Sequence, residues 1–274
     1  MISENRNGIG VHRFGLLQGV PELLHGVSDR AGGVSEGVYH SLNVGLHVGD
    51  VPPLVVENRR RFCMAAGIDP ARLVVGEQVH GGKVVTVTGA DAGRGAAGHS
   101  DALAGADALV CAEPDVPLLA LCADCPLVVI FDAEACVLGV VHASWRSLAA
   151  GIVAGAVGAM ACLGAAPPRM LAGIGPCVGK CCYPVGADFA DNIVHSSLPA
   201  AERYIEENEG RLFFDLPAAV SGALCFAGVP VRQIEAAGLC TSCNVGRFFS
   251  FRASAGKTGR FALVAQIARR GSAR

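Results

Sequence analysis

The stretch 118–152 combines short apolar runs with polar corners more densely than any other part of the chain. Apolar runs occupy residues 118–121, 127–131 and 137–141, and polar or turn-forming residues bound each run. Short continuous runs with many β-branched residues are typical of strands buried on both faces. The pattern therefore predicts three consecutive strands, followed by a helix over residues 148–166.

Apolar runs elsewhere in the chain predict the remaining elements. Strands are predicted at residues 10–18, 73–75, 83–88, 107–110, 169–174, 211–214, 231–234 and 261–267. Helices are predicted at residues 55–66, 186–194 and 216–227. Residues 25–35 are predicted as a loop, and residues 202–210 are predicted as either a helix or a loop. Gly67 is placed to end the first of these helices, and Asp215 is placed to cap the last. Residues 57–61 are predicted on the outer face of the first helix.

The chain has no internal repeat, low-complexity segment or linker, so its 274 residues predict one domain of the α/β or α+β class. Residues 267–274 are predicted to be a frayed basic tail. Hydrophobic residues make up 51% of the chain and charged residues 17%, which is enough apolar content for a globular core.

Charge and composition also bear on partners and location. The net charge of −2 gives no basic surface, so neither nucleic acid nor a membrane is predicted as a partner. The first residues, MISENRNGIG, lack the regions of a secretory signal, which favours a cytoplasmic protein whose 12 cysteines are mostly reduced. Residues 148–166 are uncharged and near membrane-spanning length, but they are rich in Ala and Gly, so a buried helix is favoured.

Three side chains with metal-binding or nucleophilic chemistry fall at predicted strand ends. His80 precedes a Gly-Gly pair, and Cys125 and His142 each follow one of the central strands. Three nitrogen and sulfur ligands that leave a fourth position open are typical of a catalytic zinc site. The same set occurs in blue-copper centres, although no Met has an obvious position as axial ligand. Nucleophilic catalysis by Cys125 with a histidine is the third alternative.

Other motifs are weaker. Two Cys-x-x-Cys pairs, at 122/125 and 240/243, would together supply four zinc ligands, but Cys122 continues an apolar strand and argues against that site. Residues 93–98 match G-x-G-x-x-G without opening a helix, so no dinucleotide site is predicted. Arg30 lies in a Gly- and Ser-rich loop whose backbone N–H groups suit an anion.

Over nearly its whole length the chain resembles the bacterial YfiH/laccase-domain family, called multicopper polyphenol oxidase in older naming. The matching segments are HGVSDRAGGVS, SLNVGLHVGD, EQVHG, ADCPLVVIFD, GVVHASWRSLAAGIV, GIGPCVGKCCYPVG and CTSCNVGRFFSFRASAGKTGR. The resemblance implies a single layered α/β (α+β) domain over residues 1–274, with mixed β-sheets flanked by helices. The chain departs from the family at Ser144 and Ser147, where Gly is usual, and at Pro184, where an acidic residue is usual, and these departures bear on substrate choice.

The resemblance also implies an activity, since related members are described as zinc-dependent purine nucleoside phosphorylases with adenosine deaminase activity. Adenosine, inosine, guanosine and methylthioadenosine are the candidate substrates, with phosphate as co-substrate. By the matching motifs, zinc is bound, and catalysis carried out, at His80, Cys125 and His142. Alternatives are a copper-dependent polyphenol oxidase and a hydrolase that edits peptidoglycan precursors, because some relatives are described as peptidoglycan editing factors.

Further residues are expected around the metal. Arg30 is the predicted phosphate ligand, and Asn43 and Arg146 are weaker candidates for substrate contacts. Asp124 is expected either to orient a metal ligand or to cap its corner. The sequence leaves the oligomeric state open.

Overall fold

The computed structural model describes residues 1–269, which form fifteen strands and six α-helices in this range. The strands are β1 (Ile2–Arg6), β2 (Ile9–Arg13), β3 (Leu23–Ser28), β4 (Val74–Val75), β5 (Val84–Val87), β6 (Ala108–Cys111), β7 (Leu118–Cys122), β8 (Leu127–Asp132), β9 (Val137–His142), β10 (Leu171–Ile174), β11 (Pro184–Val185), β12 (Ile205–Asn208), β13 (Arg211–Phe214), β14 (Ile234–Ala236) and β15 (Phe261–Ile267). The helices are α1 (Gly15–Gln18), α2 (Pro52–Ala66), α3 (Trp145–Ala149), α4 (Ile152–Cys162), α5 (Ala187–Val194) and α6 (Leu216–Phe226).

Most of the strands form two six-stranded sheets. The first has the order β1-β2-β3-β15-β7-β4, and the second has the order β14-β10-β8-β9-β6-β5. Both are mixed, since β4 runs parallel to β7 and β5 runs parallel to β6 among antiparallel neighbours. Strands β11, β13 and β12 form a small antiparallel sheet. Mixed sheets flanked by helices confirm the predicted fold class.

Side chains of β7 show how the layers stack. Leu118, Ala120 and Cys122 point into the cluster between the two sheets, where they meet residues of β8 and β9. Leu119 and Leu121 point the other way and join the cluster beneath α2. On the far side of the second sheet, α4 and α6 cover a third cluster. Because both faces of the central strands are buried, their sequences are continuous apolar runs rather than alternating ones.

The central strands and β15 confirm the sequence predictions, but several elements elsewhere are wrong. The predicted strand at 10–18 is β2 followed by α1, and residues 25–28 of the predicted loop belong to β3. Residues 205–208 form β12, and residues 231–233 form a 3₁₀ turn before β14. Strand β3 pairs with β2 and with β15, which lies far away in sequence, so its pairing is not visible in a local pattern.

The predicted helix at 148–166 is interrupted. Helices α3 and α4 are separated by Ala150 and Gly151, and Gly151 has a φ of 74°, a left-handed conformation that stops an α-helix. Among the helices of residues 1–269, none has the length and apolar character needed to cross a membrane. Of the predicted tail, Ile267 ends β15, and residues 270–274 lie outside the described residues.

The predicted helix ends are confirmed. Gly67 ends α2 with a φ of 79° and donates its N–H to carbonyls of the last turn, and the Asp215 carboxylate accepts the N–H of Ala218 at 3.1 Å. The predicted outward position of Asn58 and Arg59 is wrong, since both are buried. Their side chains donate to backbone carbonyls of neighbouring loops, which satisfies the polar groups inside the fold.

Candidate metal centre and cavity

His80, Cys125 and His142 come together at one point. His80 follows β4, Cys125 lies in the turn between β7 and β8, and His142 is the last residue of β9. Their candidate ligand atoms all lie within 4.8 Å of one another. The two imidazole rings are 5.0 Å apart between centroids and meet edge to face at 75°. Strand ends from both large sheets thus supply the three groups that the sequence predicted to converge.

Asp107, immediately before β6, orients both histidines. Its buried carboxylate accepts the His142 Nδ1–H at 2.9 Å, which leaves His142 Nε2 to face the other two groups. The same carboxylate accepts the backbone N–H groups of Val79, His80 and Gly81 at 2.7 to 3.1 Å. These bonds hold the loop at His80, whose φ of 61° is uncommon for a residue other than Gly.

Charge is separated between Cys125 and His142. Burial opposes ionisation of the Cys125 thiol, but His142 and His80 outweigh burial and lower its pKa from 9.0 to about 6. Burial likewise opposes the charged imidazole, but Cys125 and Asp107 raise the pKa of His142 from 6.5 to about 9. The thiolate is already the form that binds a metal, and metal binding would displace the proton from His142.

The donor set fits zinc. One thiolate and two imidazoles leave a fourth position open, and Asp107 supplies the carboxylate partner that zinc-bound histidines commonly have. A blue-copper centre with an axial Met fits less well. Within residues 1–269, no methionine lines the cavity around the trio: Met64 is exposed on α2, and Met160, on α4, is buried with Met170 in the core on the far side of the second sheet.

The trio opens into a cavity of about 770 Å³, which is within the size range of small-molecule sites. Its walls combine aromatic and aliphatic side chains with basic ones. The lining residues that bear on function are His47, Gln78, Leu121, Asp124, Trp145, Arg146, Val178, Tyr183, Leu216, Phe251, Arg252 and Arg260.

Three arginines give the cavity a positive field. The guanidiniums of Arg146, Arg252 and Arg260 each lie over an aromatic ring of the wall, 4.5 to 5.8 Å from its centroid. Among the described lining residues, Asp124 is the only carboxylate. Its oxygens accept hydrogen bonds from Thr241 Oγ1 at 2.5 Å and from the backbone N–H of Arg252 at 2.7 Å. Asp124 therefore fixes its corner, and the arginines favour an anionic ligand.

Arg30 and Asn43 lie outside the cavity lining. The Arg30 guanidinium donates to the carbonyls of His40 and Val245 and stacks on Phe249, so it ties loops together. The buried Asn43 accepts the backbone N–H of Arg260 at 2.8 Å and so positions an arginine of the cavity. Their positions do not support direct substrate contacts, whereas the position of Arg146 does.

Ser144, Ser147 and Pro184, the positions at which the sequence departs from the pattern of the family it resembles, each form hydrogen bonds near the cavity. Ser144 caps α3, and its hydroxyl bonds the Ser147 hydroxyl at 2.7 Å and accepts the Ser147 N–H at 3.1 Å. Both serines are buried, and only Ser144 reaches the lining. The Pro184 carbonyl accepts a bond from Arg252 at 2.7 Å, so this position helps to hold a cavity arginine.

Sequence reasoning missed Asp107, Arg252 and Arg260 as site residues. Arg252 and Arg260 belong to the segment CTSCNVGRFFSFRASAGKTGR, whose family resemblance was the available signal. Asp107 carried no comparable signal, because a lone Asp before a strand is common and its four partners lie 26 to 35 residues away in sequence.

The sequence and the fold match known proteins. A family model described as multi-copper polyphenol oxidoreductase laccase matches residues 24–268. A protein named purine nucleoside phosphorylase YlmD, from Geobacillus stearothermophilus, is 39% identical over 252 residues, which are 89% of each chain. Purine nucleoside phosphorylase YfiH of Shigella flexneri is 34% identical, covering 86% of this chain and 90% of that protein.

A solved structure agrees with these sequence matches. The crystal structure of the Bacillus licheniformis protein YfiH superimposes with a TM-score of 0.90 at 31% identity, covering 97% of this chain and 98% of that chain. Sequence and fold thus agree over almost the entire length of both proteins. The chain therefore belongs to the YfiH/laccase-domain family.

Proposed function

We propose that this chain is a zinc-dependent purine nucleoside phosphorylase that also deaminates adenosine. The observation that carries the proposal is that the His₂Cys trio and three arginine guanidiniums share one cavity. Relatives named purine nucleoside phosphorylase, 34% and 39% identical to this chain, support it. The proposed substrates are adenosine, inosine, guanosine and methylthioadenosine, with phosphate as co-substrate.

The walls suit a purine nucleoside. Trp145, Tyr183 and Phe251 line the cavity with aromatic rings against which a flat base can pack, and Leu121 and Leu216 add apolar surface. Burial and then Arg260 lower the pKa of His47, another lining residue, from 6.5 to about 4. A neutral imidazole that both donates and accepts hydrogen bonds is therefore available to the polar edge of the base or to the ribose.

In phosphorolysis, an oxygen of inorganic phosphate forms a bond to C1′ while the bond from C1′ to N9 of the base breaks. The base leaves with the bonding electrons and takes up a proton, and ribose 1-phosphate is the second product. Arg146, Arg252 and Arg260 would hold the phosphate by charge-assisted hydrogen bonds and so fix the direction of its attack.

In deamination, the 6-amino group of adenosine leaves as ammonia and an oxygen atom from water takes its place. A zinc ion held by His80, Cys125 and His142 would supply Lewis acidity beside the base. Asp107 keeps His142 Nδ1 protonated and aimed away from the cavity, so that Nε2 remains available to the metal.

The test is an assay of the metal-analysed protein with each nucleoside, with and without phosphate. We expect phosphate-dependent release of base together with ribose 1-phosphate, and phosphate-independent conversion of adenosine to inosine. Cys125→Ala serves as the inactive control for a contaminating enzyme, and Cys162→Ser, on an exposed cysteine outside the cavity, serves as the matched active control. Failure to cleave any nucleoside by the zinc-loaded protein contradicts the proposal.

The same assay plate separates the alternatives. A copper-dependent phenol oxidase would oxidise phenols after copper loading, and a peptidoglycan editor would release fragments from precursor peptides.

We place the enzyme in the cytoplasm as part of the proposal, because within residues 1–269 all 12 cysteines are free of disulfides, as expected in a reducing compartment.

A further inference from the structure

Four cysteines that the proposed activity does not use lie together at the surface. Cys181 and Cys182 close a 3₁₀ turn after β10, and Cys240 and Cys243 lie in the loop after β14. All four sulfur atoms lie within 4.8 Å of one another. The sequence argued against a four-cysteine site that joins 240/243 to 122/125, and Cys122 is indeed buried in β7. The turn at 181/182 places two other thiols beside Cys240 and Cys243.

The backbone holds the two loops side by side independently of the thiols. Cys177 forms a parallel bridge with Cys240, in which the Cys177 N–H bonds the Leu239 carbonyl at 3.2 Å and the Thr241 N–H bonds the Cys177 carbonyl at 2.9 Å. The cluster is thus placed by main-chain hydrogen bonds, which is the pre-organisation that a metal site requires.

The sulfur separations match one tetrahedral ion. Cys243 Sγ lies 3.7 Å from Cys181 Sγ and 3.4 Å from Cys182 Sγ. Four thiolates at a zinc–sulfur distance of about 2.3 Å stand about 3.8 Å apart. A disulfide needs about 2.05 Å, and an iron–sulfur cluster spreads its thiolates over several iron atoms. The observed spacing therefore fits a single ion.

The backbone of the turn favours a thiolate at Cys240. The Gly179 N–H donates to Cys240 Sγ at 3.3 Å, a bond that stabilises negative charge on sulfur. A Cβ on Gly179 would stand 3.2 Å from Cys240 Cβ and 3.4 Å from Cys181 Sγ, so the absence of a side chain there allows this approach. Lys180, the basic residue of the turn, is paired with Glu206.

We propose that Cys181, Cys182, Cys240 and Cys243 bind a structural Zn²⁺ ion, a second metal in addition to the one at the His₂Cys trio. Four thiolates leave no open position, which is the form of a structural rather than a catalytic zinc site. The spacings, an adjacent pair and a Cys-x-x-Cys pair, contribute two ligands from each loop.

The second ion would brace the wall of the catalytic cavity. Val178, shortly before the first two cysteines, and Tyr183, directly after them, line that cavity. The Val178 N–H bonds the Asp124 carbonyl at 2.8 Å, and Thr241, between the other two cysteines, bonds the Asp124 carboxylate at 2.5 Å. Asp124 precedes Cys125, so joining the two loops restrains the backbone beside a catalytic metal ligand.

Metal counting on the intact chain tests the proposal. We expect about two zinc ions per chain in protein purified under reducing conditions. The double variant His80→Ala/Cys125→Ala, which leaves the cluster untouched, should keep about one, and Cys240→Ser/Cys243→Ser should also lose one. Cys162→Ser/Cys225→Ser, on exposed cysteines outside the cluster, should keep both.

Cobalt gives a readout that does not depend on activity, and its first measurement uses a chain in which all four cysteines are present. Co²⁺ added to metal-free His80→Ala/Cys125→Ala should produce the intense sulfur-to-metal charge-transfer bands of a four-thiolate tetrahedral site. These bands should be absent when Cys240→Ser/Cys243→Ser is added. The proposal is overturned if His80→Ala/Cys125→Ala binds neither zinc nor cobalt, if its cobalt bands survive the serine substitutions, or if peptide mapping finds the four cysteines joined in disulfides in the reduced-purified protein.

Discussion

The Asp107 carboxylate bonds His142 Nδ1 at 2.9 Å and holds the backbone N–H of His80 at 3.0 Å, so one buried acid fixes both imidazoles of the trio. Burial raises the pKa of this carboxyl, but His142 and the backbone donors outweigh burial and leave it lowered. Asp107 thus stays ionised at neutral pH and supports the ring orientation that a metal needs.

Asp107→Asn should weaken zinc binding at the trio by roughly 10- to 100-fold, the usual effect of removing such an outer partner. The amide cannot accept all four donors at once, because its nitrogen is a donor only. Zinc affinity measured by chelator competition checks the prediction. Asp101→Asn, on an exposed residue, is the matched control, and unchanged affinity in Asp107→Asn would refute the orienting role.

Alkylation separates a ligand thiolate from a nucleophile at Cys125. With zinc bound, Cys125 should resist iodoacetamide, because coordination occupies the sulfur. After chelation, its alkylation rate should rise as pH increases through about 6, its lowered pKa, whereas an ordinary thiol responds near about 8.5. Peptide mass analysis isolates Cys125 from the exposed Cys162, which reports reagent activity. Rapid labelling of the zinc-loaded enzyme would move the assignment to a cysteine nucleophile.

Substitution at Cys125 gives a complementary test. Cys125→Asp retains an oxygen ligand for zinc but has no sulfur nucleophile, so it should keep some metal and a trace of nucleoside activity. Cys125→Ala should lose both. Equal metal loss in the two variants, measured on folded protein, would argue against ligation by this residue.

Asp132 should make stability depend on acid pH. Its fully buried carboxylate accepts the N–H groups of Glu134, Ala135 and Ala166 and pairs with Arg169 at 2.9 Å. Burial raises its pKa, but Arg169 and the backbone donors outweigh burial and hold the pKa below the usual value. Its stabilisation is therefore present above the unfolded pKa of about 3.9 and is lost as pH falls through the folded value.

Asp132→Asn should lower the free energy of unfolding at pH 7 by roughly 1–3 kcal/mol, since buried donors lose their acceptor. The difference from the unsubstituted chain should shrink as the pH falls below about 4. Denaturant midpoints at several pH values measure it, and Glu134→Gln, on an exposed side chain, is the control. A difference that does not change with pH would show that Asp132 charge is not the cause.

Local sequence patterns were sufficient to predict the buried strands, but they did not predict side-chain contacts between residues far apart in the chain. The strands around Cys125 and the strand at Phe261–Ile267 were predictable because burial on both faces leaves an unbroken apolar run. The roles of Asp107 and of the paired cysteine loops were not, because their partners lie tens of residues away. Arg30 illustrates the converse case: its glycine-rich loop suggested an anion, whereas its guanidinium donates to backbone carbonyls whose positions the sequence does not reveal.

The surroundings of Arg146 and of Arg30 lead to opposite predictions for phosphate binding. In the hydrogen-bond network of residues 1–269, the Arg146 guanidinium has no hydrogen-bond partner; it lies in the cavity, 4.5 Å from the Trp145 ring centroid. Its donors are therefore free for a ligand. Arg146→Ala should raise the phosphate KM about tenfold or more, because a charged hydrogen bond contributes about 1.5–3 kcal/mol.

Arg30→Ala is the variant with which Arg146→Ala should be compared. The Arg30 guanidinium donates hydrogen bonds to the carbonyls of His40 and Val245. Removal of this side chain should therefore lower thermal stability and leave the phosphate KM close to that of the unsubstituted chain. Zinc content should stay normal in both variants, since neither residue belongs to the trio. Initial rates over a phosphate series at saturating nucleoside measure the two KM values. If Arg30→Ala raises the phosphate KM and Arg146→Ala does not, the phosphate lies in the glycine-rich loop that the sequence indicated, and the cavity arginines serve another ligand.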